Sequence, residues 1–270
     1  MIIDNVALLI PIHPPHYHFI YNALDKLKSN DIAIDVFLIF SSKSDYDLFT
    51  MKEEIHPIIL PETYHTKSIV TFKKFYGLRQ LADSKYDHLI CCDSEIDIIP
   101  SNFTDTNINA KIKQIFETKK IYAGKTDDYW ANHITRTSAD LFPDKQEMLK
   151  TLTDDFKLYF WWSDLPVYRR TDITPFLNMI NYDSITWYHF DFIIYQYYLL
   201  LFHNFEIVNI TPITNIHTSL EGLNTSNPDV LNQLLDINYG FGWNTKQFYN
   251  LNKVFVESQK GFLIYHLDRY

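Results

Sequence analysis

Two kinds of hydrophobic pattern alternate along the first hundred residues. Short, continuously apolar runs are typical of strands buried on both faces of a sheet, and they occupy residues 5–12, 34–42, 56–61 and 86–92. The segments between them show helical spacing of apolar residues or an Asp-rich helix start, and they cover residues 16–30, 44–54 and 68–82. This order predicts βαβ units, and therefore a mostly parallel central sheet with helices on its faces.

The second half of the chain has a less regular pattern. It contains a strand-like segment at 120–125, a long apolar segment at 188–202 that predicts a buried helix, and another strand-like segment at 205–219. The sequence shows neither a low-complexity linker nor an internal repeat. We therefore expect one α/β domain over residues 1–270, with an elaborated C-terminal half.

Composition narrows the class of protein. The chain has 270 residues, 46% hydrophobic and 21% charged, as expected of a folded protein with a sizeable core. Its net charge of −9 argues against a broad nucleic-acid surface, which requires clustered Lys and Arg. The adjacent Cys91 and Cys92 give no disulfide framework, and no segment reads as a membrane span or a signal peptide. We therefore expect a cytoplasmic location.

The stretch YDHLICCDSEIDII places acidic side chains where a buried strand ends. Asp93 and Glu95 are separated by one residue, so their side chains point to the same side of an extended chain. Parallel α/β sheets bind ligands at the carboxyl ends of their strands, and two neighbouring carboxylates require a counter-charge. A hard divalent cation, Mg²⁺ or Mn²⁺, would supply that charge. The alternative is a solvated acidic turn with no ligand.

An N-terminal strand, a β/α half and then an acidic D-x-D-like motif resemble the GT-A glycosyltransferases. Enzymes of that family transfer a sugar from a nucleotide-sugar donor to an acceptor. The resemblance implies a Rossmann-type fold with a nucleotide-sugar-binding half over residues 1–100 and an acceptor-binding half over residues 101–270. Asp93 and Glu95 of the variant motif D-S-E would bind a Mn²⁺ or Mg²⁺ ion on the donor diphosphate. Asp93 and Ser94 would also contact the donor, and a glycan or other hydroxyl compound would be the acceptor.

The resemblance also implies which residues contact the nucleotide. The turn after the first strand corresponds to the place where the base and the ribose rest in the family, and its candidates here are Pro11, Ile12 and His13. In the family, a basic residue on a helix contacts the nucleotide, and the segment TFKKFYGL resembles that helix. Lys73 is the first candidate for that role and Lys74 the second. The alternatives are a rigid strand-ending turn and ordinary surface lysines.

Two further roles follow from the same resemblance. A carboxylate at the start of a helix acts as the base in inverting members, and Asp191 matches that position. A later histidine often completes the metal shell, and His217 is the candidate, with His266 as its rival. An Asp that only caps its helix and a structural histidine are the simpler interpretations.

The stretch YFWWSDLPVYRR crowds Trp, Asp and Arg side chains together. Trp161 and Trp162 could stack on the apolar face of a sugar, and Asp164 could bind sugar hydroxyls or act as the base in place of Asp191. Arg169 and Arg170 could bind phosphate, because the guanidinium fork matches its geometry. A core aromatic pair beside a surface cluster of ion pairs is the alternative.

Two other functions are compatible with these residues. A metal-dependent phosphoester hydrolase would use Asp93, Glu95, Asp97 and Asp191 to hold two ions. A non-catalytic carbohydrate-binding module would use the abundant Trp and Tyr side chains without turnover. The glycosyltransferase is the expectation that the acidic motif and the element order favour together.

Overall fold

The computed structural model describes residues 2–67, 69–123, 129–154, 166–209 and 263–266. The strands in these ranges are β1 (Ile2–Ile12), β2 (Ala33–Phe40), β3 (His56–Ile59), β4 (His88–Cys91), β5 (Ile96–Ile98), β6 (Lys120–Ala123), β7 (Val167–Arg169), β8 (Glu206–Asn209) and β9 (Ile264–His266). The helices are α1 (Tyr17–Ser29), α2 (Lys43–Leu48), α3 (Val70–Gln80), α4 (Asp105–Thr118), α5 (Tyr129–Ala139), α6 (Gln146–Asp154), α7 (Arg170–Met179) and α8 (Asp191–Phe202). Short 3-10 turns lie at Pro14–His16, Lys52–Glu54, Glu62–Lys67 and Tyr182–Ser184.

The central sheet has the strand order β3-β2-β1-β4-β7. β1 pairs in parallel with both β2 and β4, and β2 pairs in parallel with β3. β7 joins the edge of β4 in the antiparallel direction. Two small sheets accompany it: an antiparallel pair of β5 and β9, and a parallel pair of β6 and β8. The predicted α/β class with a mostly parallel, helix-flanked sheet is confirmed, and the architecture is compatible with a Rossmann-like fold.

β1 divides its side chains between two apolar layers. Ala7 and Leu9 face the layer that holds residues of α3, α7 and α8, whereas Leu8 and Ile10 face the layer that holds residues of α1 and α4. All four side chains are buried, which is why the strand reads as a continuous apolar run rather than as an alternating one. In the described residues, helices therefore cover both faces of the sheet.

The end of β4 carries the two cysteines of the chain. Cys91 and Cys92 are free thiols with no solvent exposure, so they behave as the small buried hydrophobes that the sequence suggested. Burial raises the pKa of Cys92 to about 12 and also raises that of Cys91. Both thiols are therefore protonated in the folded protein at neutral pH.

The predicted helix over 44–54 is shorter in the structure, because α2 ends at Leu48. Phe49 leaves the helical path with an extended backbone and is 1% exposed. Its ring packs edge-on against Tyr17 and tilted against Tyr21, with ring centroids 5.2 and 4.9 Å apart. Burying this aromatic ring outweighs continuing the helix.

Several elements of the second half differ from the sequence prediction. The pattern did not indicate α4 to α7, and the strands β5 and β7 have three residues each, which is too short for a periodic signal. The strand-like segment 205–219 contains β8, and its part from residue 210 onward lies outside the described residues. In the described ranges, no helix has the length and apolar character needed to cross a membrane.

The helix α3 lies very close to the sheet at Gly77. A Cβ atom built on Gly77 would lie 2.5 Å from Cδ1 of Ile39 and 2.9 Å from Cδ1 of Leu9. Both neighbours have no solvent exposure, so they have little room to move aside. The missing side chain therefore sets the distance between α3 and the strands β1 and β2.

We expect Gly77→Val to lower the free energy of unfolding in urea by about 1–3 kcal/mol, because the added methyl groups overpack the core. The control is Gln80→Val, at an exposed position of the same helix, which should change the free energy by no more than about 0.5 kcal/mol. Equal stability of the two variants would contradict the close approach of α3 to the sheet.

Candidate functional site

The carboxyl ends of β1 and β4 lie side by side where the strand order reverses. The chain passes from β1 to β2 and β3 on one side of the sheet, and then returns to β4 on the other side of β1. Open α/β sheets bind ligands outside the strand ends at such a topological switch point. His13 follows β1, and Asp93 and Glu95 follow β4. The fold thus brings together the two loops that the sequence predicted for nucleotide and metal binding.

Side chains of these two loops are in direct contact. Nδ1 of His16 lies 2.7 Å from Oγ of Ser94 and 2.9 Å from Oε1 of Glu95. The hydroxyl of Ser94 donates to Oε2 of Glu95 at 3.0 Å. His16 ends the 3-10 turn that follows β1, so this turn fixes the position of the acidic loop. The sequence prediction missed His16, although it belongs to the same PIHPPH segment as His13.

Lys73 places a buried ammonium group beside the end of β1. Its Nζ donates to the carbonyl of Ile12 at 3.0 Å, and the residue is 4% exposed. No carboxylate in the described ranges lies within ion-pairing distance of this group. Burial lowers the pKa of Lys73 to about 8, although the negative charge of Asp45 opposes this decrease in part.

His13 shares this electropositive environment. The ring centroids of His13 and His16 are 3.8 Å apart. Burial lowers the pKa of His13, and repulsion from His16 and Lys73 lowers it further. The side chains of Pro11 and Ile12 are buried in the core instead. Pro11 and Ile12 were predicted to contact the nucleotide. With their side chains buried, they could do so only through backbone groups at the strand end, such as the Ile12 carbonyl.

A second buried cation, the ammonium of Lys74, contacts the acidic loop that contains Asp93 and Glu95. Nζ of Lys74 lies 2.8 Å from Oδ1 of Asp93 and 2.8 Å from Oδ1 of Asp191. The hydroxyl of Tyr168 donates to Oδ2 of Asp191 at 2.8 Å. Burial opposes the charged form of Lys74, but the two carboxylates outweigh burial and raise its pKa above the usual value. Lys74 therefore holds Asp93 in place and is not directed at a nucleotide.

The structure argues against Asp191 as the catalytic base. Its side chain is 3% exposed, whereas that of Asp93 is 32% exposed. One carboxylate oxygen of Asp191 faces Lys74 and the other accepts from Tyr168. A carboxylate enclosed in this way has no free face for an acceptor hydroxyl. Asp191 instead supports Asp93 through Lys74, a role that the helix-start pattern did not reveal.

Asp97 is also part of the internal structure. It is 5% exposed, and its carboxylate receives hydrogen bonds from Lys26 and Asn22 of α1. The Asp97 carboxylate is therefore engaged in these contacts inside the protein. The same burial weakens the hydrolase alternative, because Asp97 and Asp191 are both engaged where a second ion would need them.

Arg169 and Arg170 lie at the opposite end of the sheet from the acidic loop. Arg169 pairs with His88, the first residue of β4, and the backbone N–H of Arg170 donates to the carbonyl of Asp87. The guanidinium of Arg169 contacts Asp172 at 2.8 Å. Because β7 runs antiparallel to β4, it carries both arginines away from the strand end where the phosphate was predicted to bind.

Some predicted site residues lie outside the described residues, namely Trp161, Trp162, Asp164 and His217. Their predicted roles stay predictions. For His266 the structure describes the backbone, which pairs with Ile96 in the small sheet of β5 and β9. The strand β9 thus pairs with β5 at Ile96, the residue that directly follows Glu95.

The residues at the switch point fit a divalent cation by their chemistry. In the described part of the chain, no three His, Cys, Asp or Glu side chains form a group that could hold a metal ion. Carboxylate oxygens and an imidazole nitrogen are nevertheless suitable ligands for Mg²⁺ or Mn²⁺, and Glu95 and His16 are already in contact. Lys74 and Asp191 neutralise one another, so Asp93 and Glu95 keep two negative charges that a divalent ion would offset.

The sequence matches no protein-family model and no curated protein. Only the position and the chemistry of the residues themselves therefore bear on the function.

We expect Lys74→Met to lower the free energy of unfolding by about 3–5 kcal/mol, because it leaves the buried Asp191 carboxylate without its counter-charge. The double variant Lys74→Met/Asp191→Asn should regain part of this loss, because the amide is neutral and still accepts from Tyr168. Urea denaturation of both single variants and the double variant measures the coupling. Strictly additive losses would contradict the ion pair. Lys113→Met, at an exposed site on α4, is the control and should unfold like the parent.

Proposed function

We propose that this protein is a GT-A-type glycosyltransferase that moves a sugar from a nucleotide-diphosphate sugar to a glycan or other hydroxyl acceptor. The observation that carries the proposal is the location of the acidic loop. Asp93 and Glu95 lie at the topological switch point of a mostly parallel sheet, in contact with the turn that follows β1. Nucleotides bind at this place in open α/β sheets.

The buried ammonium of Lys73 supports an anionic donor. A cation that is 4% exposed and has one carbonyl acceptor gains stabilisation from an anion placed beside it. A diphosphate bound outside β1 would supply that charge, and His13 lies in the same electrostatic environment. The predicted contribution of Lys73 and His13 to donor binding is therefore part of the proposal, and Ser94 would contribute through its place between His16 and Glu95.

The acidic loop would hold the divalent ion of the reaction. Asp93 and Glu95 are its proposed ligands, Lys74 fixes the Asp93 carboxylate, and His217 stays the predicted additional ligand. A bound Mn²⁺ or Mg²⁺ ion supplies Lewis-acid stabilisation of the diphosphate leaving group. Because the net charge of the chain is −9, the positive groups at the switch point also reduce repulsion of an anionic donor.

The acceptor side of the proposal depends on other residues. With Asp191 enclosed, Asp164 takes over as the proposed base, with Trp161 and Trp162 as proposed sugar contacts. A cytoplasmic location belongs to the same proposal, together with the division into a donor-binding half over 1–100 and an acceptor-binding half over 101–270.

We expect nucleoside diphosphates to bind the native protein in a Mn²⁺-dependent way, as measured by calorimetry. Asp93→Asn and Glu95→Gln keep the shape of each side chain and remove its charge. Each should weaken this binding by at least about tenfold and sugar transfer by about a hundredfold or more. Asp25→Asn, at an exposed position of α1, is the matched control and should bind like the parent.

The outcomes of this experiment separate the candidate functions. Nucleotide binding that persists unchanged in a chelator would contradict the metal role of Asp93 and Glu95. Hydrolysis of a phosphoester without an acceptor would favour the hydrolase. Sugar binding without nucleotide binding would favour a non-catalytic carbohydrate-binding module.

We also expect the affinity for a nucleoside diphosphate to fall as the pH rises above about 8, because only the protonated ammonium of Lys73 attracts the anion and its pKa is about 8. The decrease should approach tenfold per pH unit at most. Lys73→Met should bind more weakly at pH 7 and lose this pH dependence. Calorimetry with Mg²⁺ checks both effects, and Lys28→Met, exposed on α1, should retain the parental profile. The same pH dependence in Lys73→Met would show that another group is responsible.

A further inference from the structure

Three possible metal-ligand atoms from two distant loops meet at the topological switch point. Nδ1 of His16 lies 2.7 Å from Oγ of Ser94 and 2.9 Å from Oε1 of Glu95. Oγ of Ser94 in turn lies 3.0 Å from Oε2 of Glu95. His16 ends the turn after β1, whereas the other two residues follow β4. We call the side chains of His16, Ser94 and Glu95 the switch-point triad.

The distances within the switch-point triad match those between neighbouring ligands of one octahedral ion. Metal–ligand bonds of about 2.1 Å at right angles place neighbouring ligand atoms about 3.0 Å apart. The three separations in the triad, 2.7, 2.9 and 3.0 Å, are close to this value. An imidazole nitrogen and a carboxylate oxygen are common metal ligands, and a serine hydroxyl binds Mg²⁺ in phosphate-binding loops. The triad therefore has both the spacing and the chemistry of one face of a coordination shell.

The hydrogen bonds of the triad use the same lone pairs that an ion would use. The Ser94 hydroxyl donates its one hydrogen to Glu95, so at the contact with His16 its oxygen accepts from Nδ1. A neutral imidazole carries its hydrogen on either ring nitrogen. With the hydrogen on Nε2, the Nδ1 lone pair points toward the Glu95 carboxylate, an arrangement that a cation stabilises. An ion can thus replace the hydrogen at Nδ1 without a change in the positions of the side chains.

The triad is held in place and is still accessible to solvent. The side chains of His16 and Glu95 are 23% and 21% exposed, so water or oxygens of a donor can reach an ion bound there. Ser94 is buried. The ring of His16 packs on that of His13, with centroids 3.8 Å apart, and meets Phe19 edge-on at 5.8 Å. Because these contacts already fix the imidazole, it loses little conformational freedom when an ion binds.

We propose that His16 and Ser94 bind the divalent cation together with Glu95, so that the turn after β1 supplies the imidazole ligand. Water or diphosphate oxygens complete the coordination shell. Because Mg²⁺ prefers sites made of oxygen ligands alone, an imidazole ligand favours Mn²⁺ over Mg²⁺. This inference rests on the proposed function for the role of the ion in transfer, but the binding of the ion itself does not depend on transfer.

The test is the binding of Mn²⁺ alone to the 270-residue chain, measured by electron paramagnetic resonance. We expect the signal of free Mn²⁺ to decrease as the ion binds, and pulsed spectra of the bound ion to show coupling to an imidazole nitrogen. His16→Gln should lose this coupling and bind Mn²⁺ at least about tenfold more weakly. Ser94→Ala should keep the coupling but bind more weakly. His18→Gln, at an exposed position two residues later, is the matched control and should behave like the parent.

Competition with Mg²⁺ gives a second measurement on the same variants. We expect Mg²⁺ to displace Mn²⁺ from His16→Gln at a lower excess than from the native protein, because the variant lacks the nitrogen ligand that favours Mn²⁺. A loss of general stability would not change this preference. An unchanged preference in His16→Gln would contradict the imidazole ligand.

Other outcomes overturn the role of His16 or separate it from the transferase. Absence of Mn²⁺ binding, absence of nitrogen coupling in the native protein, or coupling that persists in His16→Gln overturns it. Coupling that disappears in His217→Ala instead would assign the imidazole ligand to His217. Nucleoside diphosphate binding is measured in parallel. Mn²⁺ binding that depends on His16, without nucleotide binding, would support the triad while contradicting the transferase, and Mn²⁺-dependent nucleotide binding without nitrogen coupling would do the reverse.

Discussion

The ammonium of Lys74, buried between Asp93 and Asp191, is the interaction on which the site depends. It connects helix α3 with the end of β4 and the start of α8, and Tyr168 adds β7 through its hydrogen bond to Asp191. Taking these charges out of water is costly, and a well-packed apolar cluster would often be more stable. The arrangement therefore makes most sense as a device that holds one carboxylate, that of Asp93, in place at the strand end.

The sequence predicted the first half of the fold well because the physics there is local. Strands buried on both faces leave continuous apolar runs, and each run coincides with one of the parallel strands β1 to β4. The second half has short strands and helices whose placement depends on distant contacts. Phe49 shows the same limit within the first half, because its burial against Tyr17 and Tyr21 shortens a helix that the local pattern would continue.

The positions of site residues could be predicted from the sequence only where the direction of a strand alone determines the end of the sheet at which a residue lies. Parallel strands bring their carboxyl ends to one edge, so His13, Asp93 and Glu95 lie at the same edge of the sheet. Arg169 lies at the other end of the sheet because β7 is antiparallel, a strand direction that no short motif reveals. The enclosure of Asp191 was equally hidden, since its partner Lys74 lies 117 residues earlier in the chain.

The burial of both cysteines has a practical consequence for labelling the protein. The chain contains two cysteines, both enclosed at the end of β4 with raised pKa values, so neither presents a thiolate to reagents in solution. A cysteine introduced on the surface would be the reactive thiol in the folded chain. Fluorophores or spin labels could thus be attached at a chosen position without first replacing the native cysteines, and the core of the central sheet would stay intact.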